Sequence, residues 1–276
     1  MRDFKILLIL IAFVGVTYWG VEPYAHHVMH PALPAADFTF GVKPANLKDA
    51  NVSEGQAIVA AQCATCHSVK KADINLTMSP EDAANAYGVL PPDLSNAAGV
   101  YDTNYLVAFL QDPAKVSLAP KTAMPNLGLT DKQATDVIAY LSTLAEHNLT
   151  GKQVTEAACA YCHTVKYDGV TRVVSEKRIK EYLGKNPPDL SMMIKSRGEH
   201  YLESFINNPQ NGLPGTAMPR VGLSHESQEK VIAYLDQVGD PKKAQRDALG
   251  FWVIGYFVIL TVLTFMWKTA KLREVH

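Results

Sequence analysis

The sequence predicts an all-α protein in which two similar helical domains lie between two long apolar segments. Three observations favour this fold class. The region between the apolar segments repeats itself at a nearly constant shift, its apolar residues recur at helical spacing, and capping and proline signals mark helix ends. A length of 276 residues suggests about two domains, and a net charge of −1 argues against a nucleic-acid partner.

The internal repeat is visible as matched phrases. PPDLS occurs at 91–95 and 187–191, a shift of 96 positions, and TAMP occurs at 122–125 and 216–219, a shift of 94. The second copy has therefore lost two residues between these phrases. The predicted segments are an N-terminal transmembrane helix (1–24), a periplasmic linker (25–49), two domains (50–148 and 149–239), and a C-terminal anchor with a basic tail (240–276).

Helix boundaries within each copy follow from local signals. Pro113 and Pro209 are expected to end the central helices, because a proline ring disfavours helical backbone at the preceding residue. The last helix of each copy carries an apolar stripe at spacings of three and four residues. The predicted helix caps are Ser53 (with Gln56), Thr130 (with Gln133), Thr150 (with Gln153) and Ser224. The stripes are Ala134, Val137, Ile138, Leu141 and Leu144, and Val231, Ile232, Leu235 and Val238.

All four cysteines belong to two C-x-x-C-H stretches, Cys63–His67 and Cys159–His163. In such a stretch the two thiols bond to the vinyl groups of a haem, and the histidine binds the iron from one face. Zinc ribbons pair their C-x-x-C knuckles at roughly 15–20 residues, far closer than here, and thioredoxin-like motifs sit in a βαβ context. A disulfide within each pair is the plain structural alternative. The repeated pattern favours two covalently bound haem c groups, held by Cys63, Cys66, His67, Cys159, Cys162 and His163.

The second axial ligand of each iron is predicted to be a methionine. Met124 and Met218 occupy the same place in the two TAMP phrases, and a thioether suits an electron-transfer iron. The proline that follows each methionine restricts the backbone there. Other methionines lack a counterpart in the opposite copy: Met78, Met192 and Met193. The predicted iron ligands are therefore His67 with Met124 and His163 with Met218.

Residues around the ligands are predicted from hydrogen-bonding needs. An axial imidazole requires an acceptor for its other N–H, and the carbonyls of Pro92 and Pro188 are candidates. Arg220 follows the second TAMP phrase and is a candidate partner of a haem propionate; a solvated arginine is the alternative. Iron with both axial positions filled has no place for substrate, and no catalytic triad or phosphate loop competes, so we expect an electron carrier rather than an enzyme.

The apolar ends predict membrane anchors. Ala248–Trp267 has about the length that crosses the hydrocarbon core, and Ile6–Val21 is either a retained anchor, which we expect, or a cleaved signal peptide. Basic residues flank both segments on their outer sides, which places both termini in the cytoplasm. The two domains would then face the periplasm from the bacterial inner membrane, the compartment of covalent haem attachment.

The motifs of each copy resemble class I cytochromes c: C-x-x-C-H near the start, PPDL, then a methionine in AMP before the last helix. With the C-terminal anchor, the chain resembles the di-haem cytochrome c1 subunit of some bacterial cytochrome bc1 complexes. That resemblance implies cytochrome b and Rieske iron–sulfur partners and a downstream periplasmic cytochrome c or oxidase. The di-haem subunit of a cbb3-type oxidase and a free-standing, membrane-tethered shuttle are the alternatives.

Charge is distributed unequally between the two copies. Residues 50–149 carry ten acidic and five basic side chains, whereas residues 150–239 carry ten and eleven. An acidic surface attracts a basic partner and speeds its encounter. We therefore expect domain 1 to dock a basic soluble cytochrome, with Asp131 and Asp136 on the docking face, and domain 2 to receive the electron. Scattered acids that only aid solubility are the alternative.

Overall fold

The computed structural model describes residues 2–29 and 32–275, and every regular element within these ranges is a helix. Pairing between extended segments there is limited to isolated β-bridges. The predicted all-α class, with long apolar helices at both ends, is confirmed. The predicted anchors and linker include four residues outside the described ranges: Met1, His30, Pro31 and His276.

The N-terminal apolar segment is one continuous helix that reaches past the predicted boundary at residue 24. Helix α1 (Arg2–Val16) passes through a π-helical turn (Thr17–Val21) into α2 (Glu22–Met29). Pro23 lacks the N–H that would complete an ordinary helical hydrogen bond, and a wider turn before it accommodates that gap. The stretch Phe4–Met29 has a mean hydropathy of 2.1 and buries none of its most apolar window in the protein.

The C-terminal apolar segment lies in α15 (Lys243–Val275), a helix of 33 residues. Its stretch Lys243–Arg273 has a mean hydropathy of 2.2, and none of its most apolar window is buried in the protein. The first turns of α15 bind domain 2 through the ion pairs Lys243–Asp236 and Arg246–Asp240. An apolar stretch that the rest of the described protein leaves uncovered fits a hydrocarbon environment better than a soluble core. Both terminal helices are long and apolar enough to cross a membrane.

Domain 1 is a bundle of short helices closed by one long helix. At its centre the backbones of its first helix, α3 (Val52–Ile58), and its last, α8 (Asp131–Leu144), come into contact: a Cβ on Gly55 would lie 2.0 Å from the Asp136 carbonyl oxygen, so only glycine fits there. A π-helical turn, Val59–Cys63, extends α3 into the first haem motif. The helices are α3 (Val52–Ile58), α4 (Pro80–Tyr87), α5 (Ala97–Val100), α6 (Thr103–Gln111), α7 (Pro113–Ser117) and α8 (Asp131–Leu144).

Domain 2 repeats this order of helices. Gly151, the counterpart of Gly55, makes the same close crossing, because a Cβ there would lie 2.3 Å from the Lys230 carbonyl oxygen. One helix again runs up to the haem motif, ending at Ala158. The helices are α9 (Gly151–Ala158), α10 (Glu176–Leu183), α11 (Met193–Arg197), α12 (Glu199–Asn207), α13 (Pro209–Gly212) and α14 (His225–Gly239).

Most of the predicted helix signals are confirmed. Thr130 and Thr150 form capping boxes with Gln133 and Gln153, and Ser224 caps α14. The central helices stop before the two prolines, each of which opens the next helix. The apolar stripes of α8 and α14 face the two cores: Ala134, Val137, Ile138, Leu141, Val231, Ile232 and Leu235 are buried, and Leu144 and Val238 pack at the edges.

Two expectations in domain 1 are wrong. The cap of α3 is Asn51, not Ser53: the Asn51 side chain accepts the N–H groups of Ser53 and Glu54 and starts the helix two residues earlier. Asp136 is not on a docking face, because only 1% of its surface is exposed to solvent. Its carboxylate accepts the Asn51 N–H at 2.7 Å and the Lys132 ammonium at 2.8 Å, and so joins α8 to the start of α3.

The two domains pack directly on each other, and the segment after TAMP in domain 2 forms much of the contact. The Tyr105 hydroxyl donates to the Arg220 carbonyl at 2.7 Å, and the Arg220 N–H donates to the Ser117 carbonyl at 2.6 Å. The Asp102 N–H donates to the Gly222 carbonyl at 2.9 Å. Domain 1 therefore fixes the backbone just after Met218.

The segment predicted as a linker is also packed. Phe40 is buried against Tyr105 and Val116, so residues ahead of domain 1 add a third apolar cluster to the structure. The Asp37 N–H donates to the Asn207 side-chain oxygen at 3.0 Å, and the Asn207 amide returns a bond to the Asp37 carbonyl at 3.1 Å. These contacts join the chain after the first apolar helix to both domains.

Candidate haem sites

Each C-x-x-C-H stretch folds into one tight turn at the end of a helix. In domain 1 the N–H groups of Cys66 and His67 both donate to the Cys63 carbonyl, at 3.1 and 2.9 Å. In domain 2 the same two bonds go to the Cys159 carbonyl, at 3.0 and 2.8 Å. All four thiols are free of disulfides. Each turn brings two thiols and one imidazole close together and leaves both thiols free. This arrangement suits a haem that bonds to both thiols, with the imidazole facing its iron.

Both histidines of these turns have one ring nitrogen occupied. Nδ1 of His67 lies 2.8 Å from the Pro92 carbonyl oxygen, and Nδ1 of His163 lies 2.8 Å from that of Pro188. Since a carbonyl only accepts, each Nδ1 carries the proton and each Nε2 keeps its lone pair. That tautomer can bind iron through Nε2, with the ring orientation fixed from behind.

Burial keeps these groups neutral. It lowers the pKa of His67 and of His163, although the hydrogen bonds to the proline carbonyls act in the opposite direction. Burial also raises the pKa of Cys63 to about 11 and that of Cys159 to about 12, each assisted by the neighbouring cysteine. Near neutral pH each site therefore presents a neutral imidazole and, at Cys63 or Cys159, a protonated thiol in an apolar setting.

The aspartate of PPDLS has a role that the sequence did not reveal. The Asp93 carboxylate accepts the Ser68 hydroxyl at 2.7 Å and the Ser95 N–H at 2.8 Å. The Asp189 carboxylate accepts the Thr164 hydroxyl at 2.5 Å and the Ser191 N–H in the same way. Each aspartate holds the residue after the histidine against the proline segment. Its presence in both copies of PPDLS was the available signal.

The predicted methionines lie in corresponding irregular loops before the last helix of each domain. Met124 and Met218 are both half-buried, and Met124 packs against the domain 1 core. The Met218 N–H donates to the Thr216 hydroxyl at 3.3 Å, which fixes the start of its loop. Among the competitors, Met192 is 44% exposed and Met193 packs against the domain 2 core. Ligation of iron by Met124 and Met218 stays a prediction.

Arg220 binds protein groups on two sides. Its Nε donates to the Asn207 carbonyl at 3.0 Å, and its Nη1 donates to the Phe40 carbonyl at 3.1 Å. The guanidinium carbon also lies 5.4 Å from the centre of the Phe40 ring. These contacts join the segment ahead of domain 1 to domain 2, and the solvated alternative does not describe them. A contact between Arg220 and a haem propionate stays a prediction.

A partly buried arginine beside the second site supports the fit of a haem there. The Nε of Arg172 is buried without a hydrogen-bond partner among the described residues, whereas its Nη2 donates to the Pro187 carbonyl at 2.8 Å. The positive charge of Arg172 acts on both Cys162 and His163, so the unpaired donor lies in their neighbourhood. A buried unpaired N–H is costly, and an anionic group of a bound cofactor would satisfy it. Together with the free thiols and the Nε2 lone pairs, this donor set fits haem c.

Comparison with known proteins agrees with this chemistry. A family model described as cytochrome c matches residues 52–145 and 149–239. A cytochrome c homolog of Bradyrhizobium diazoefficiens is 34% identical over 31% of this chain and 51% of its own length. One of Rickettsia conorii is 36% identical over 36% of this chain and 60% of its own length. This chain thus spans about half to three-fifths of those relatives.

Two further likenesses have different coverage. Cytochrome c of Tetrahymena pyriformis is 29% identical over 32% of this chain and 85% of its own length. A chain of a solved hyperthermophilic respiratory Complex III is 26% identical over 46% of this chain and 75% of that chain, with a TM-score of 0.37. The family match, which covers both domains with their C-x-x-C-H turns and proline acceptors, shows that this chain belongs to the cytochrome c family.

Proposed function

We propose that this chain is a membrane-anchored di-haem cytochrome that receives electrons from the Rieske protein of a cytochrome bc1 complex. It would pass them to a downstream cytochrome c or oxidase. Electron transfer as such follows from the cytochrome c family. The observation that carries the finer proposal is the pair of apolar helices flanking the two domains. A mobile shuttle needs at most one anchor, whereas a fixed subunit is held well by two.

We further propose one haem c in each domain, which supplies an iron that takes up and releases one electron. Cys63, Cys66, His67 and Met124 would hold the first group, and Cys159, Cys162, His163 and Met218 the second. The carbonyls of Pro92 and Pro188 fix the orientation of the His67 and His163 rings, so a bound haem would meet imidazoles that the protein already holds in place. Ligands fixed in this way suit a carrier that binds no substrate at its metal.

The proposed topology places both termini in the cytoplasm and the two domains in the periplasm. Lys268, Lys271 and Arg273 follow the second apolar run, and Arg2 and Lys5 precede the first. A protease added to the periplasmic side should cut within residues 50–239, and a reporter fused after the C-terminus should stay protected. N-terminal sequencing of the mature protein should begin at or near Met1. A mature start between Ala32 and Asp37 would show that the first helix is a signal peptide.

The complex itself is tested by purification in mild detergent with a tag on this chain. Cytochrome b and a Rieske protein should co-purify in fixed ratio, and the haem content should be two per chain. Oxidase subunits in their place would identify the chain as the di-haem subunit of a cbb3-type oxidase. A chain that purifies alone, at detergent concentrations that leave other respiratory complexes intact, would be the tethered shuttle.

A further inference from the structure

The two haem motifs differ at the residue before the second cysteine. Domain 1 has Thr65 there, which is exposed, whereas domain 2 has Tyr161, which is half-buried. The Tyr161 side chain reaches into domain 1, where its hydroxyl oxygen accepts a hydrogen bond from the Asp93 N–H at 3.2 Å. The haem motif of domain 2 therefore contacts the PPDLS segment of domain 1 directly, and the short Thr65 side chain cannot offer the reciprocal contact.

The contacted N–H belongs to the peptide group that serves the first axial histidine. The Pro92 carbonyl and the Asp93 N–H are the two ends of one amide, and the carbonyl accepts the Nδ1–H of His67 at 2.8 Å. Hydrogen bonds on the two ends of one amide polarise each other: an acceptor on the N–H makes the carbonyl a stronger acceptor. A stronger acceptor at Nδ1 makes the imidazole a more basic ligand.

The surroundings make this contact a fixed one. The Asp93 side chain is held by Ser68 and Ser95, so the backbone that meets Tyr161 does not move freely. Tyr101 is half-buried beside Tyr161 and packs against the cores of both domains. Tyr182 of domain 2 also lies at the interface, where its backbone carbonyl accepts a hydrogen bond from the Lys121 ammonium of domain 1 at 3.2 Å. The amide is thus clamped between two packed domains.

We propose that Tyr161 is a positioning residue for the iron site of the other domain: through the Pro92–Asp93 amide it fixes and strengthens the acceptor of His67. The inference rests on the proposed function in one respect, namely that each domain holds a haem. Docking of domain 2 would then lower the reduction potential of the domain 1 haem, because a more basic imidazole favours ferric iron. Domain 1 has no matching effect on His163, because Thr65, the counterpart of Tyr161, is too short to make the equivalent contact.

The test is Tyr161→Phe in the full-length, haem-loaded chain, studied by spectroelectrochemical titration. This substitution removes one hydroxyl and keeps the ring that packs in the interface. We expect the potential of the domain 1 haem to rise and that of the domain 2 haem to stay unchanged. A Met124→Ala background identifies the domain 1 transition. The electron paramagnetic resonance signal of the ferric domain 1 haem should change as well, since it reports the axial imidazole.

The matched control is Tyr234→Phe. It also removes a tyrosine hydroxyl of domain 2 that makes a hydrogen bond, here to Asp168 at 2.8 Å, but away from domain 1. Both transitions should stay in place in this variant. Tyr161→Thr, which introduces the residue found in domain 1, should shift the same transition in the same direction as Tyr161→Phe.

Each outcome has one meaning. An unmoved domain 1 transition in Tyr161→Phe, or a shift confined to the domain 2 transition, would overturn the role of Tyr161. A shift in Tyr161→Thr alone would also overturn it, because packing rather than the hydrogen bond would then be responsible. Haem content is measured first: fewer than two haems per chain overturns the proposed function, whereas two haems with unchanged potentials overturn only this inference.

Discussion

Replacing Gly222 with alanine should destabilise the protein more than the same change at Gly128. The two glycines occupy the same position after TAMP in the two domains, and both have a left-handed backbone, with φ of +72° and +67°. Their surroundings differ. A Cβ on Gly222 would lie 2.1 Å from the Tyr105 ring of the other domain, whereas nothing lies within 4 Å of a Cβ on Gly128.

The expected size of the effect follows from these two terms. The left-handed backbone costs alanine about 1–2 kcal/mol at either position. At Gly222 overpacking adds about 1–3 kcal/mol, because the Tyr105 ring is 4% exposed and cannot move aside. Phe40 and Phe109 pack against that ring, with centroids 5.3 and 5.7 Å away. The total for Gly222→Ala is therefore about 2–5 kcal/mol, against about 1–2 kcal/mol for Gly128→Ala.

Thermal unfolding of the haem-loaded protein in detergent, followed by circular dichroism, measures the difference. Each kcal/mol should lower Tm by roughly 2–4 °C for a folded region of this size. Combining Gly222→Ala with Tyr105→Ala should remove the overpacking, so that the glycine change then costs no more than at Gly128. Equal Tm losses for the two single glycine variants would refute the reasoning, and so would an unchanged cost in the Tyr105→Ala background.

Two further changes test the iron ligands and the buried aspartate. Met124→Ala or Met218→Ala should leave both haems attached and lower the potential of one, since loss of the thioether destabilises ferrous iron; a redox titration in which neither potential moves would exclude these ligands. Asp136→Asn should cost about 1–3 kcal/mol at pH 7, because it disturbs the hydrogen bonds from Lys132 and Asn51. Burial alone would raise the pKa of Asp136, but these bonds outweigh it and hold the pKa below its usual value. The stabilisation is therefore present above about pH 4 and is lost as pH falls through the lower folded pKa, and denaturant titrations across that range should show a shallower acid loss in the variant.

Local signals in the sequence were sufficient for most helix boundaries. Thr130 and Thr150 each pair with a glutamine three residues later, and the ring of Pro113 itself prevents the preceding helix from continuing. Neither signal depends on the rest of the fold. The start of α3 was missed because Asn51 and Ser53 are both good caps two residues apart. The choice between them is settled by Asp136, a residue far along the chain that binds the Asn51 N–H.

Contacts between the domains were beyond sequence reasoning. A repeat predicts two similar units, but it contains no information on how they pack. The difference between Thr65 and Tyr161 was visible in the sequence, whereas the partner of Tyr161, the Asp93 N–H, is 68 residues away. Arg220 gave a similar difficulty: its place after TAMP pointed to a propionate, and its observed partners include the Phe40 carbonyl, 180 residues earlier.

The unequal charge of the domains leads to a test of the direction of electron flow. With Asp136 buried, Asp131 is the acid of the original pair that a partner can reach, since it is exposed in the first turn of α8. We expect Asp131→Lys to slow association with a basic soluble cytochrome c at low ionic strength and to flatten the salt dependence of the rate. At about 0.1 M salt the Debye length is about 10 Å, so variant and parent rates should converge at higher salt.

Glu156→Lys is the matched control, because it makes the same charge change at an exposed position on α9 in domain 2. If electrons leave the protein through domain 1, Asp131→Lys slows docking of the soluble cytochrome and Glu156→Lys does not. Quinol oxidation with a small uncharged acceptor should be equal in both variants and the parent, since that assay bypasses the docked cytochrome. Equal slowing by both variants would mean that the partner senses only net charge. Slowing by Glu156→Lys alone would mean that electrons leave through domain 2. The proposed direction of electron transfer between the two haems would then be reversed.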